Sequence, residues 1–196
     1  PDVKLIDLAH LYGTPGKIDE IRAIAKKHDA KIIEDAAESL GSTYKGQQTG
    51  SFGDYGCISF NGNKIICGSA GGAFLTNSLE DSKKVRKWST QARENASWYQ
   101  HEEFGYNYRM SNICAGIGRG QMFVLEEHVA RRREIHDLYV KLLDGVKGVK
   151  VMCQPEGGEF NSNYWLTCIT VDPEEAGFTR EDVRLALDGD NIESRP

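Results

Sequence analysis

Long hydrophobic runs are missing from this 196-residue sequence. No apolar stretch approaches the roughly 20 residues that a helix needs to cross a bilayer. No charged segment followed by an apolar one opens the chain either, as a secretion leader would. We therefore expect a cytoplasmic protein that has no membrane partner.

An excess of positive charge is also missing. Lys and Arg number 24 against 29 Asp and Glu, which gives a formal net charge of -5. The one dense basic run, residues 131–133, lies within an apolar-periodic helix, where such clusters are usually a solvated face. Because nucleic-acid-binding proteins typically carry a basic patch, we expect no nucleic-acid partner.

Cysteine is scarce and odd in number. The five residues show none of the close pair spacings that zinc sites or disulfide frameworks need. They are Cys57, Cys67, Cys114, Cys153 and Cys168. We expect reduced, mostly buried thiols and no metal site.

The composition that is present, 39% hydrophobic and 27% charged residues, is that of a globular protein. Short apolar runs predict strands at residues 8–12, 31–35, 55–60 and 72–76, and a helix ends near His28. A helix followed by a strand in this way is the crossover unit of a parallel sheet. The first part of the chain is therefore predicted to be α/β.

The rest of the chain predicts a helix over 78–88, a polar and aromatic loop over 93–108, and a long helical region over 111–143 in two segments. Gly116, Gly118 and Gly120 in that region suggest the close approach of another backbone. Strands at 149–153 and 165–171 and a helix over 179–187 predict a smaller α+β unit. We predict a large domain over 1–145 and part of a small domain over 146–196.

Three polar residues stand where an α/β sheet places its ligands. Lys64 lies between two predicted strands, and a confined lysine can condense with an aldehyde such as that of pyridoxal phosphate. Asp35 ends a buried strand and could face a pyridine nitrogen, while Ser59 could bind a phosphate. Taken singly, Lys64 could be an exposed loop lysine, Asp35 a helix cap and Ser59 a small strand residue.

Four ordered motifs resemble those of the DegT/DnrJ/EryC1/StrS sugar aminotransferases. They are IEDAAESLG (33–41), GSFGD (50–54), SFNGNKI (59–65) and GYNYRMSN (105–112). HLYG (10–13) and IESRP (192–196) are similar to that family too. The resemblance implies fold type I of the pyridoxal phosphate enzymes: a large domain with a mostly parallel sheet, a small C-terminal domain and an obligate homodimer.

The resemblance also implies residue roles. Lys64 would bind pyridoxal 5'-phosphate covalently, Asp35 would pair with its ring nitrogen, and Ser59 would bind its phosphate. Asn107 would reach the cofactor phosphate of the partner subunit. Glu38 departs from the Gln or His that is common near the cofactor's phenolic oxygen, so it is either protonated or faces the substrate.

The motif combination most resembles the subgroup that aminates UDP-linked 4-keto-6-deoxy-N-acetylhexosamines, as in bacillosamine-type and legionaminate-type pathways. This implies transfer of an amino group, with glutamate as the donor, for surface polysaccharide or glycan biosynthesis. Lys64 argues against a dehydratase-type member, which uses the cofactor without that lysine. Because the chain looks truncated at both ends, the alternative is a non-catalytic fragment that folds and dimerises without binding the cofactor.

Overall fold

The computed structural model describes residues 2–196. The strands and helices in chain order are β1 (Leu5–Ala9), α1 (Ile18–His28), β2 (Lys31–Asp35), β3 (Thr43–Tyr44), β4 (Gln47–Gln48), β5 (Tyr55–Ser59), β6 (Gly72–Thr76), α2 (Leu79–Ser89), α3 (Asn112–Gln121), α4 (Leu125–Leu143), β7 (Val149–Val151), β8 (Phe160–Asn161), β9 (Ile169–Val171), α5 (Pro173–Ala176) and α6 (Arg180–Gly189). Two 3-10 turns occur at Leu11–Gly13 and Met122–Val124.

The main sheet has the order β1-β2-β5-β6. β1, β2 and β5 run parallel, and β6 pairs antiparallel with β5, so the predicted mostly parallel sheet is confirmed. In β2, Ile32 and Glu34 are buried while Lys31 and Asp35 are exposed. Because side chains alternate across a strand, one face of this sheet is packed and the other is open to solvent.

The first strand differs from its prediction over residues 8–12. It ends at Ala9, and Tyr12 has a φ of 54° inside the following 3-10 turn. The apolar run spans the end of the strand and the turn after it, so periodicity alone placed the strand too late. Strand β9 is also shorter than predicted. It begins at Ile169, and at the predicted start the Trp165 N–H donates to the Asn163 side chain instead of to a ladder partner.

The helices follow the predicted pattern closely. Ser78 caps α2 by accepting a hydrogen bond from the Asp81 N–H, and Thr179 forms a capping box with Asp182 at the start of α6. The long helical region divides into α3 and α4, as predicted. However, a Cβ added to any of the three α3 glycines would meet nothing within 4 Å, so no other backbone of residues 2–196 approaches them.

A hydrophobic cluster includes the two residues that follow Lys64 in the chain. It contains the buried residues Ile65, Ile66, Leu125, Val129 and Trp165. β8 pairs with β3, so residues before and after position 145 share contacts in both the cluster and a small sheet. The predicted division at 145 stays a prediction.

Two expectations about surface and interior residues need correction. None of the five free cysteines is buried: Cys57 and Cys153 are exposed, and the others are partly exposed. The basic run in α4 is not uniformly solvated either, since Arg133 is partly buried and donates to Asn161 and to the Ser162 carbonyl. No helix within residues 2–196 is both long and apolar enough to cross a membrane.

Candidate active site

The open face of the sheet carries two of the predicted site residues. Asp35 pairs in register with Cys57 on the parallel neighbour strand, and Ser59 lies two residues further along. Alternation therefore directs Asp35, Cys57 and Ser59 to the same face at the carboxyl ends of β2 and β5. Partial desolvation by the neighbouring strands, together with the charges of Asp35 and Asp7, raises the pKa of the Cys57 thiol.

Asp35 and Ser59 both keep capacity for a ligand. One Asp35 oxygen accepts a hydrogen bond from the Ala37 N–H at 3.0 Å, and the carboxylate is exposed. The Ser59 hydroxyl oxygen accepts from the Asn61 N–H at 3.3 Å, which leaves its proton available for donation. A carboxylate and a hydroxyl at adjacent strand ends can bind a cationic ring nitrogen and an anionic group respectively.

Beneath Asp35, on the packed face, Glu34 forms a buried polar network. Its side chain accepts from His10 Nε2 at 2.8 Å and from the N–H groups of Gly50, Phe52 and Gly53 at 2.6 to 2.8 Å. The Gly16 N–H donates to His10 Nδ1, so Nε2 carries the proton that Glu34 accepts.

The charge of Glu34 depends on this network. Burial alone would raise the pKa of Glu34, but the hydrogen bonds from His10 and three backbone N–H groups outweigh it, so the pKa is lowered. The carboxylate therefore stays ionised at neutral pH and links β2 to the loop over residues 50–53. This linkage holds the strand end from which Asp35 projects.

Lys64 lies in a confined position between an acid and an aromatic ring. Its Nζ is 3.9 Å from Glu38 Oε1 and 4.4 Å from the centroid of the Trp165 ring. Only 14% of the Lys64 side chain is exposed, and Trp165 is 4% exposed. The alternative prediction, that Lys64 is an exposed loop lysine, is therefore wrong.

Glu38 is held at the turn that follows β2, three residues after Asp35. Its Oε2 accepts the Tyr12 N–H at 2.6 Å, while its Oε1 faces the Lys64 amine. The structure therefore gives Glu38 a partner that neither alternative named, the lysine amine, and the choice between those two alternatives stays a prediction.

Asn107 lies apart from these residues. It forms an isolated bridge with Thr90, its side chain is exposed, and among residues 2–196 no hydrogen bond joins that side chain to Lys64, Asp35, Glu38 or Ser59. The structure thus gathers four of the five predicted site residues around two strand ends and places the fifth in the aromatic loop.

Sequence reasoning missed Trp165 and the pair of His10 and Glu34. An acid at an inward position of the apolar strand β2 was a usable signal, because a buried charge requires a partner. Trp165 offered no such signal, since it meets Lys64 across about a hundred residues of chain.

Comparison with known proteins shows which family the chain matches. Residues 1–196 match the DegT/DnrJ/EryC1/StrS aminotransferase family. The chain is 46% identical over 193 residues to EpsN of Bacillus subtilis (strain 168), which is named as a pyridoxal phosphate-dependent aminotransferase; the match covers 98% of this chain and 48% of EpsN. It is 37% identical over 193 residues to a GDP-perosamine synthase of Escherichia coli O157:H7, covering 98% of this chain and 51% of that protein.

The fold has a solved counterpart. The structure of DesI, determined in the presence of its TDP-sugar product, superposes with a TM-score of 0.88 at 25% sequence identity and covers 100% of this chain and 49% of DesI. The predicted fold class is confirmed by this match. The chain spans about half the length of the curated relatives that it matches.

Proposed function

Because this chain belongs to the DegT/DnrJ/EryC1/StrS aminotransferase family, we propose that the whole protein is a pyridoxal phosphate-dependent aminotransferase acting on a nucleotide-linked keto-sugar. The observation that carries this proposal is the setting of Lys64, whose amine is confined between Glu38 and Trp165. A lysine that served only solubility would keep its ammonium in water. Confinement instead suits an amine that must meet a bound aldehyde.

The residues present fit pyridoxal phosphate. Lys64 offers an amine for the aldehyde, Asp35 an exposed carboxylate for the ring nitrogen, and Ser59 a hydroxyl for the phosphate. When bound, the cofactor supplies a covalent attachment point and a ring that withdraws electrons from the substrate carbon. Asp35 and Ser59 lie at adjacent strand ends, and Glu38, in the turn after the strand of Asp35, faces the Lys64 amine.

The roles of the chain's own residues follow from their positions. Asp35 would keep a proton on the ring nitrogen by its negative charge. Lys64 would anchor the cofactor and then accept and return a proton at the substrate carbon. Glu38 would keep the amine in place and balance its charge whenever the lysine is free, because it is the acid that faces Nζ.

The substrate class rests on the relatives. One is named for a GDP-sugar product, and the solved structure contains a TDP-sugar, so the nucleotide varies while the nucleotide sugar is common. We propose a UDP-linked 4-keto-6-deoxy-N-acetylhexosamine with glutamate as the donor, supported by the AESLG and FNGNK motifs. Turnover measured with UDP-, GDP- and TDP-linked keto-sugars would decide this, and a preference for GDP or TDP would contradict the assignment.

We further propose that the protein works in the cytoplasm as a homodimer with shared active sites, in which Asn107 serves the partner's site. Support comes from the aromatic loop, defined as residues 93–108. Its aromatic side chains are exposed, Phe104 by 93%, although apolar area of this kind is usually covered. A loop that projects into a partner would present such a surface.

The central test is reductive trapping in the whole protein. Pyridoxal phosphate is added, borohydride fixes it to whichever lysine binds it, and peptide mass spectrometry identifies that lysine. We expect the label on Lys64. Lys45→Ala, which removes a surface lysine paired with Asp19, is the matched control and should label as the parent does. A label on another lysine would contradict the assignment, and no label at all would favour the non-catalytic alternative.

A further inference from the structure

The lysine segment, defined as residues 63–67, belongs to no strand or helix. Its backbone polar groups still need partners, because unpaired buried groups are costly. At its start, the Asn63 carbonyl accepts a hydrogen bond from the Trp165 indole N–H at 2.8 Å. A residue about a hundred positions away therefore fixes the backbone immediately before Lys64.

Two further side chains bind the other end of the lysine segment. Gln121 accepts from the Cys67 N–H at 2.9 Å and donates to the Cys67 carbonyl at 2.6 Å. His128 Nδ1 lies 3.1 Å from the Ile65 carbonyl. Side chains from α3, α4 and the segment before β9 thus replace the ladder that a strand would provide.

Trp165 differs from Gln121 and His128 because it also contacts the amine. Its ring centroid lies 4.4 Å from Lys64 Nζ, within the range of a cation–π interaction. One side chain therefore holds both the carbonyl before Lys64 and the tip of its side chain.

The two groups that flank the amine are tied to each other. Asn163 is fully buried, accepts from the Trp165 N–H at 2.8 Å and donates to the carbonyls of Glu38 and Leu40 at 2.9 Å. Trp165 and Glu38 are therefore held at a set separation, and Lys64 Nζ lies beside both.

We propose that Trp165 is a positioning residue for Lys64, in which the ring retains the amine beside Glu38 and the indole N–H secures the lysine segment. This inference rests on the proposed function, since it concerns the amine that would carry the cofactor. A lysine has four rotatable bonds, and restricting them before reaction reduces the entropy lost in reaching the reactive geometry. A purely structural Trp165 would instead stabilise the core without affecting the amine.

The test compares three variants of the whole protein without cofactor. Trp165→Leu removes the ring and the N–H, Trp165→Phe keeps a ring but loses the N–H, and Leu125→Ala weakens the same hydrophobic cluster without touching Lys64. The first readout is the rate at which a small amine-acylating reagent labels Lys64. The second is hydrogen–deuterium exchange of the peptide that spans the lysine segment.

Trp165→Leu should raise the labelling rate of Lys64 by about threefold to tenfold, as expected for loss of a cation–π contact. In Trp165→Phe, the labelling rate of Lys64 should stay within about twofold of the parent's rate. Hydrogen–deuterium exchange of the lysine segment should be faster than in the parent. Leu125→Ala should change neither readout beyond its general loss of stability. If Leu125→Ala raises both as much as the Trp165 variants do, Trp165 is only a core residue and the inference is overturned.

If Trp165→Leu fails to fold, Trp165→Phe decides the matter, because unchanged exchange of the lysine segment in that variant would also overturn the inference. Failure of the proposed function is seen separately, in the parent. Borohydride trapping that misses Lys64 in the unmodified protein contradicts the proposed function, whereas normal trapping with no response to the Trp165 variants contradicts the positioning role alone.

Discussion

The lysine segment and the aromatic loop are both irregular, yet they are held in opposite ways. In the lysine segment, distant side chains bind the backbone and the apolar residues Ile65 and Ile66 are buried. In the aromatic loop, the backbone pairs with the end of α2, where Tyr106 N–H donates to the Trp88 carbonyl at 2.7 Å, while the side chains remain exposed.

The two regions therefore differ in where the contacts of their side chains come from. Among the described residues, Trp165, Gln121 and His128 bind the lysine segment through hydrogen bonds to its backbone. The aromatic loop has an ordered backbone but presents Trp98, Tyr99 and Phe104 to solvent, and burying such rings is strongly favourable. The exposed rings make this loop the surface that the proposed dimer would cover.

The largest expected effect comes from Lys64→Ala in the whole protein. Covalent cofactor binding and the full transfer cycle should be lost, because no other group supplies both the anchor and the proton transfer. Absorbance of bound cofactor and product formation measure the two losses. Lys45→Ala should keep both, and residual turnover in Lys64→Ala would show that another residue does the chemistry.

Glu34→Gln tests whether the packed face supports the site. A carboxamide has one oxygen where the carboxylate has two, so two of the four donors lose their acceptor. At about 1 to 3 kcal/mol for each unsatisfied donor, the free energy of unfolding should fall by about 2 to 6 kcal/mol. Chemical denaturation measures it. Glu103→Gln, within the aromatic loop and exposed to solvent, is the matched control and should lower stability by no more than about 1 kcal/mol.

The same residue gives a pH dependence. The pKa of Glu34 in the folded protein is below its ordinary value of 4.5, so the folded state binds this proton less readily than the unfolded chain. Its contribution is fully present above about pH 4.5 and is lost as the pH falls through the folded pKa. Denaturation curves recorded from pH 7 to pH 3 should show that the free energy of unfolding falls less in Glu34→Gln than in the parent as the pH is lowered.

Asp35→Asn should lower turnover by about 100-fold, as is typical when one electrostatic contact to the reacting group is lost. Cofactor binding should change far less, because Lys64 and Ser59 remain. The two effects are separated by measuring turnover at saturating cofactor and the cofactor dissociation constant in both the variant and the parent. Equal turnover in variant and parent would mean that Asp35 has a structural role.

Asn107→Ala should have the smallest effect on turnover at saturating cofactor, because it removes one hydrogen bond to the phosphate. Cofactor binding should weaken by about 1 to 3 kcal/mol, roughly 5- to 150-fold. The sharper measurement mixes Lys64→Ala with Asn107→Ala, at a cofactor concentration too low for Asn107→Ala to be active, under conditions that allow subunit exchange. If the two subunits share their sites, a mixed dimer has both substitutions in one site and none in the other, so activity should return. No recovery after verified exchange would place Asn107 in its own subunit's site, or in none.

Local patterns predicted α1, β2 and β6 well, because their apolar residues recur at one period and turn residues bound them. β1 was misplaced because the apolar residues after Ala9 belong to a turn with a positive φ at Tyr12. The motifs identified Lys64, Asp35, Ser59 and Glu38 as site residues, and the structure brings these four to adjacent strand ends. Their roles, and that of Asn107, stay predictions.

By itself, the sequence determined the parallel α/β sheet, the family and the residue types available for chemistry, because these depend on short-range order along the chain. Only the tertiary structure decided that Trp165 meets Lys64, that Glu38 faces that amine, and that His10 supports Glu34. These are contacts between residues 24 or more positions apart. Packing of the whole chain sets such distances, and no local periodicity encodes them.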